Sequence, residues 1–264
     1  MTAVKLYWWG VPAGGTVNVG DEIGRYISEF VSRKKVEWAN LAECNLLSAG
    51  STISWLHRSQ HLSKRTEKCF VWGTGLMSGQ EVKQNEKIEF CSVRGYLTKT
   101  MIETTNNLGV GDPGILISEL WPYQGGKKHK LGIIPHWKQL ENPFIRAFAE
   151  KIGGKIIDVT SPDIKGTIHE IASCERIVSS SLHGVIFADS YGVPNIWMKT
   201  KAIHGGRSWK FYDYFTSAGR SNFEQVDVLR ASKIDDDLYS VPDEKLIGAL
   251  KKNVFDAFPR PLLG

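Results

Sequence analysis

No stretch of about 18 consecutive apolar residues occurs in the chain, so nothing in it reads as a membrane-spanning helix. It opens on Val4-Lys5-Leu6-Tyr7-Trp8-Trp9, without the basic region, apolar run and small-residue cleavage site of a secretory leader. Cysteine is scarce: Cys44, Cys69, Cys91 and Cys174 lie far apart, with no Cys-x-x-Cys pair. That spacing argues against a structural zinc site and a secreted disulfide framework, and it points to a reducing cytoplasm. Positive charge is not massed either. Arg33-Lys34-Lys35 is short and Lys127-Lys128-His129-Lys130 falls in a linker, so the net charge of +5 suits a small anion or a membrane surface better than nucleic acid. Peripheral contact with the inner face of a membrane stays open. Also missing are a Gly-x-Gly-x-x-Gly after a strand, a Walker sequence, a His-Glu-x-x-His helix and a Gly-x-Ser-x-Gly elbow. The acidic triplet Asp235-Asp236-Asp237 follows no strand and reads as a solvated turn, so neither a metal nor a cofactor is expected.

What is present is the material of an ordinary globular protein. Of 264 residues, 42% are hydrophobic, 23% charged and 11% aromatic, with nine Trp, enough for two domains of the usual size. Short β-branched runs alternate with helix-length amphipathic segments, the pattern of parallel sheets with crossover helices. It predicts an α/β chain. Strands are expected at 4–9, 36–38, 45–48, 68–72 and 89–93, with helices over 21–32 and 95–103. Trp121-Pro122-Tyr123-Gln124-Gly125-Gly126-Lys127 has linker composition. A second series follows it, with strands at 130–135, 155–159, 176–179 and 195–198 and helices at 143–152, 164–173 and 183–191. The expected division is an N-terminal α/β domain over 1–123, a C-terminal one over 128–235, and a helix over 240–258 that crosses back to the first. That helix starts at Ser240-Val241-Pro242-Asp243-Glu244, with the Ser240 hydroxyl as cap, and carries the stripe Leu246, Leu250, Val254, Phe258.

Two parallel sheets facing one another place their strand-end loops around one cleft, so chemistry is sought where strands end and helices begin. After the first strand, Gly14-Gly15-Thr16-Val17-Asn18-Val19-Gly20-Asp21 is either a close-approach turn or a turn with Asp21 capping the helix; Asn18 and Asp21 suit sugar hydroxyls. Arg94 stands at the end of the strand at 89–93, where a guanidinium can grip a carboxylate or phosphate. Gly111-Asp112-Pro113-Gly114 reads as a structural turn. His136 and Trp137 end the first strand of the second series, the Trp a candidate platform for a sugar ring and the His either a ligand contact or a structural residue. The densest segment is Ser179-Ser180-Ser181-Leu182-His183-Gly184: a strand end, three hydroxyls, a helix start whose N–H groups favour an anion, and an imidazole able to act as acid or base. Downstream, the loop at 199–210 carries several cations around Gly205-Gly206, with Arg207 in the loop and Lys210 held by the helix that follows.

Taken in order, Asn18-Val19-Gly20-Asp21, Ser92-Val93-Arg94-Gly95, Gly111-Asp112-Pro113 and Ser180-Ser181-Leu182-His183-Gly184 leading to Gly192-Val193-Pro194 resemble the polysaccharide pyruvyl transferase family over residues 4–218. The resemblance implies two Rossmann-like domains arranged as in GT-B glycosyltransferases. It also implies transfer of a pyruvyl group from phosphoenolpyruvate to two hydroxyls of a sugar, lipid-linked or nucleotide-linked, as a cyclic ketal in exopolysaccharide or capsule assembly. Carried over residue by residue, it gives Arg94, Leu182, His183 and Lys210 as donor-binding; the serine turn adds Ser180 and Ser181 and the loop adds Arg207 to the donor side, with Arg94 and His183 as the catalytic pair. Asn18, Asp21, His136 and Trp137 are left for the acceptor. Two departures stand out: Ser181 where many members carry Arg before Leu-His, and Ser48-Ala49-Gly50-Ser51 where members carry a run of glycines. Arg207 or a lysine of its loop is the expected substitute for the missing guanidinium. Two other functions fit the same residues: a GT-B glycosyltransferase using a sugar nucleotide, and a non-catalytic carbohydrate-binding protein.

Overall fold

In the computed structural model, which describes residues 3–10, 17–104, 107–199, 208–228, 230–231 and 233–264, the chain forms two parallel sheets flanked by helices. The first half runs β1 (Val4–Tyr7), α1 (Val19–Ser32), β2 (Val36–Trp38), β3 (Leu46–Leu47), α2 (Ile53–Leu56), α3 (Ser59–Lys64), β4 (Cys69–Trp72), β5 (Ile88–Val93), α4 (Tyr96–Met101) and β6 (Gly109–Val110). A 3₁₀ turn, Pro113–Leu116, leads into α5 (Ile117–Leu120). The second half runs β7 (Gly132–Ile134), α6 (Pro143–Lys151), β8 (Lys155–Ile156), α7 (Ile164–Ala172), β9 (Ile177–Ser179), α8 (Leu182–Ser190), β10 (Asn195–Lys199), α9 (Trp209–Ser217), β11 (Gln225–Asp227) and α10 (Glu244–Asp256).

The six-stranded sheet has the order β2-β1-β3-β4-β5-β6 and the five-stranded sheet the order β11-β10-β9-β7-β8, every pairing parallel. Alternation along each strand sends neighbouring side chains to opposite faces. Leu46 and Ile134 enter a core that runs through both halves, while Leu47 and Ile133 enter separate outer cores. Helix α8 lies in the shared core with all nine of its residues buried, which fits its apolar character on every side. Order reverses between β1 and β3 in the first sheet and between β7 and β9 in the second. In open α/β sheets, ligands bind beyond the carboxyl ends of strands at such switch points. Here both face the same cleft.

Several boundaries differ from the sequence expectation. Asn18, not Asp21, caps α1, its side chain accepting the Gly20 N–H at 3.2 Å, so Asp21 falls in the first turn and is free to line the cleft. The cap of α10 is Asp243, not Ser240: its carboxylate accepts the N–H groups of Lys245 and Leu246 at 2.9 and 3.2 Å. Leu246 is 52% exposed, and the buried face is Ile247, Leu250 and Val254. A strict four-residue stripe drifts around a helix of 3.6 residues per turn, and Ile247 takes up the drift. Helix α10 packs on the first sheet: the Val254 carbonyl accepts the Trp72 indole N–H at 2.8 Å. Gly111, at φ 135°, leaves the space that Val254 and Leu250 fill.

Candidate functional site

A cavity of about 220 Å³ opens between the two switch points. From the first half come Trp9, Asn18 and Asp21 after β1, then Gly50, Ser51, Thr52 and Trp55 after β3. From the second come His136, Trp137 and Lys138 after β7, Ser181, Leu182 and His183 after β9, and Lys210 after β10. Asn18, Asp21, His136, Trp137, Ser181, Leu182, His183, Arg94 and Lys210, widely separated in the sequence, thus meet in one place.

His183 is the second residue of α8 and 9% exposed. Its ring rests on α1, where a Cβ on Gly20 would lie 2.4 Å from Nδ1, so only glycine lets the imidazole sit there. On the other side, Nε2 is buried without a hydrogen-bond partner and lies 3.8 Å from Oδ1 of Asp112. Burial, followed by the positive charges of Lys210 and Arg94, pulls the His183 pKa down to about 3, so the ring is neutral at physiological pH in the empty cleft. Lys210 is itself pushed down to about 8, by burial and then by Arg94, against the pull of Asp21. Burial raises Asp21 to about 6 although Lys210 and the Asn18 amide, 2.6 Å away, both favour its charged form. Lys210 and Arg94 thus bring positive charge to the cleft, set against the carboxylates of Asp21 and Asp213.

At the start of α8, Ser181 occupies the cap position but makes no side-chain cap bond, so no hydroxyl of its own screens the first-turn N–H groups from the cavity. The other two serines do not act as the sequence suggested. Ser180 Oγ accepts the His136 N–H at 2.8 Å, and Ser179 Oγ binds the Ile134 and Ser181 carbonyls. Both fasten the β9–α8 turn to β7, which leaves Ser181 as the hydroxyl on the cavity side.

Arg94 also differs from its expected part. Its side chain has no solvent exposure. Nε–H donates to Asp213 Oδ2 at 2.9 Å, Nη1 to Gly50 O at 3.1 Å and Ser51 Oγ at 2.7 Å, and Nη2 to Leu76 O at 2.7 Å. With these donors already engaged, the guanidinium is a clamp beneath the cleft instead of a free grip on a ligand. Asp213, unnoticed in the sequence, also accepts the Thr98 N–H and hydroxyl at 2.7 and 2.6 Å, so it binds α9 of the second half to α4 of the first. Three residues before it on the same helix, Lys210 is thereby aimed at the cavity.

Also lining the cavity, Trp9 and Trp137 come from opposite halves with ring centroids 5.2 Å apart, and Lys138 Nζ lies 5.2 Å from the Trp137 ring. His136 Nδ1 accepts the Lys138 N–H at 3.3 Å. Trp9 and Trp55 were not singled out in the sequence; the available signal was Trp9's place as the last residue of the strand expected at 4–9, which in the structure ends at Tyr7. In the acidic triplet, Asp236 pairs with Arg176, and Asp235 with Lys233 at 2.8 Å. Arg207 and Gly14 to Thr16 lie outside the described residues.

A profile of polysaccharide pyruvyl transferases matches residues 18–201. The succinoglycan biosynthesis protein ExoV of Rhizobium meliloti is 29% identical over 219 residues, covering 82% of this chain and 65% of that protein, so the chain spans about two thirds of its length. Uncharacterized protein L143 of Acanthamoeba polyphaga mimivirus is 27% identical over 216 residues, 77% of this chain and 71% of that one. A crystal structure of a functionally uncharacterised Klebsiella pneumoniae protein superposes with a TM-score of 0.49 at 9% identity, over 85% of this chain and 93% of the other, a likeness from which nothing transfers. The matched span takes in the Asn18 cap, Asp21, Arg94, Asp112 and the whole of α8 with His183, and the chain belongs to the polysaccharide pyruvyl transferase family.

Proposed function

We propose that the cleft moves the pyruvyl group of phosphoenolpyruvate onto two hydroxyls of a sugar in a surface polysaccharide or its lipid-linked precursor, forming a cyclic ketal and releasing phosphate. The observation that carries this reading is the meeting of Lys210, His183 and the uncapped start of α8 in one cavity. A donor bearing a carboxylate and a phosphate can pair with the Lys210 ammonium and the free N–H groups of α8. The volume, about 220 Å³, lies below the roughly 300–1,000 Å³ of common ligand cavities. It suits a three-carbon phosphate ester better than a sugar nucleotide. The Trp9 and Trp137 rings, with Asn18 and Asp21 in the same lining, favour a sugar beside the donor. Arg94 acts on the donor through its field and by fixing Ser51 and α9, while Ser181 and the α8 N–H groups contact it. A lipid-linked acceptor would bring the protein to a membrane surface, although no described helix is long and apolar enough to cross one.

In the reaction, a proton is added to the donor's methylene carbon, which becomes the methyl group. A sugar hydroxyl attacks the carbon beside it and gives up its proton. The C–O bond to phosphate then breaks, and the second hydroxyl closes the ring while its proton goes to phosphate. Placing the anionic donor beside His183 opposes the two cations that depress it, so its basicity rises on binding.

Incubation with phosphoenolpyruvate and candidate glycans should release phosphate in equal amount to ketal formed. Nucleotide release from a sugar nucleotide with no use of phosphoenolpyruvate would support the glycosyltransferase reading instead, and glycan binding without donor binding in calorimetry would support a lectin. Lys210 adds a pH test. It is charged below about 8, so donor affinity should weaken as pH rises through that value. Lys210→Met should bind donor weakly at every pH and show no such fall; a variant that keeps the wild-type profile would remove Lys210 from the donor site.

A further inference from the structure

The proposed chemistry needs one group that first gives a proton and then takes one, yet His183 is neutral in the empty cleft. The geometry behind its ring supplies a partner. Asp112 is fully buried on the loop between β6 and the 3₁₀ turn Pro113–Leu116, and Oδ1 accepts the Gly114 N–H at 2.9 Å. A turn cap is the plainer account of such a residue, but it uses one oxygen only. Oδ2 is buried with no hydrogen-bond partner, and so is His183 Nε2, the nitrogen turned toward this carboxyl. Nε2 comes within 3.8 Å of the carboxyl at Oδ1, the oxygen that holds the turn, a gap that exceeds a hydrogen bond by less than about 1 Å. A buried imidazole nitrogen and a buried carboxyl oxygen, both without partners on side chains this near, each cost stability, and a small turn of the carboxyl would let them pair.

We propose, on the pyruvyl-transfer reading, that Asp112 is the positioning residue of His183: it exchanges a proton with Nε2, so that Nδ1, over Gly20, is the nitrogen that reacts. With Asp112 protonated, its O–H donates to Nε2 and the ring carries hydrogen on Nδ1. Nδ1–H then protonates the methylene carbon while the Asp112 proton moves to Nε2, leaving a carboxylate and a ring still neutral. When the first sugar hydroxyl attacks, Nδ1 takes its proton and Nε2 returns the other to Asp112. The pair is reset, and no imidazolium has to form beside Lys210 and Arg94.

The surroundings suit a carboxyl that holds its proton. Burial raises the Asp112 pKa to about 7, with Asp213 and Asp21 adding to the effect and the Gly114 N–H and Arg94 opposing it. Tyr214, whose hydroxyl donates to Asp189 at 2.9 Å, is near enough to feel the charge of the same carboxyl, and the charges of Lys210 and Arg94 reach the ring.

Asp112→Asn tests this, because its amide oxygen can keep the Gly114 bond while its NH₂ can donate to Nε2 but cannot release a proton. The variant should lose about 100-fold or more in kcat, with KM for phosphoenolpyruvate within about threefold of wild type. Independently of turnover, ¹⁵N-histidine spectra of the resting wild-type protein should show His183 as the Nδ1–H tautomer below pH about 7 and the Nε2–H tautomer above it, a switch absent from Asp112→Asn. Retention of kcat within threefold by a folded variant, or one unchanging tautomer in the wild type, would overturn the proposal. Should the variant not fold, the wild-type titration decides alone. If the wild type makes no ketal, the transfer reading fails while the tautomer switch still reports on the pair.

Discussion

Asp213→Ala is expected to cost about 3–5 kcal/mol of folding stability, the penalty for removing one partner of a buried ion pair. Both side chains of the Arg94–Asp213 pair have no exposure, and the aspartate is also the acceptor for two donors of Thr98. Without it, a guanidinium stays in the core with no carboxylate against it. Thr98 loses its backbone and hydroxyl partner as well. No slack exists to absorb the change: a Cβ on Gly95 would fall 1.7 Å from the Asp213 carbonyl oxygen, and one on Gly75 would fall 2.4 Å from the guanidinium carbon. Urea denaturation should show a lower midpoint with little change in slope. The double variant Arg94→Met with Asp213→Leu should recover much of the loss, since apolar replacement of a whole buried pair is often close to neutral. A single-variant loss under about 1 kcal/mol would mean that water reaches the pair. Activity should fall further than stability requires, because Lys210 depends on the same helix for its aim.

This clamp shows where sequence reading stops. Arg94 was legible as a residue at a strand end, since the run 88–93 alternates and then breaks at glycine. Its use was not, because Asp213 is 119 residues away and sits in an aromatic helix whose pattern announces packing. The same holds for Asp112. Gly-Asp-Pro-Gly has the composition of a turn, and the turn is real, but the imidazole behind it comes from α8 through tertiary packing. By contrast, the β9–α8 segment was readable in place and kind, because a β-branched strand, a serine turn and a glycine stop are all local signals. Ser179 and Ser180 nevertheless face β7 in place of the cavity. Strands β6 and β11 have two and three residues, too few to show a period, and they exist because a neighbouring edge offers hydrogen bonds. The two-sheet α/β class survived such omissions because it rests on the alternation of many segments.

His183→Ala should lower turnover by about 10²–10⁴-fold, the usual contribution of a placed acid or base. Donor binding should survive, and that split is what identifies the role. Lys210 and the open start of α8 remain to hold carboxylate and phosphate, and the ring is neutral before the donor arrives, so its loss removes no charge that the free protein offers. The Kd for phosphoenolpyruvate should therefore stay within a few fold of wild type in calorimetry, while single-turnover transfer collapses. Lys210→Met should do the opposite, weakening binding more than it slows the bound complex. Gly20→Ala supplies a third variant that leaves the imidazole present but displaced, since its methyl would need the space within 2.4 Å of Nδ1. If position matters as much as identity, it should behave like His183→Ala and not like wild type. Near-normal transfer by His183→Ala would move the proton chemistry to another group in the cavity, with Asp21 the first to replace.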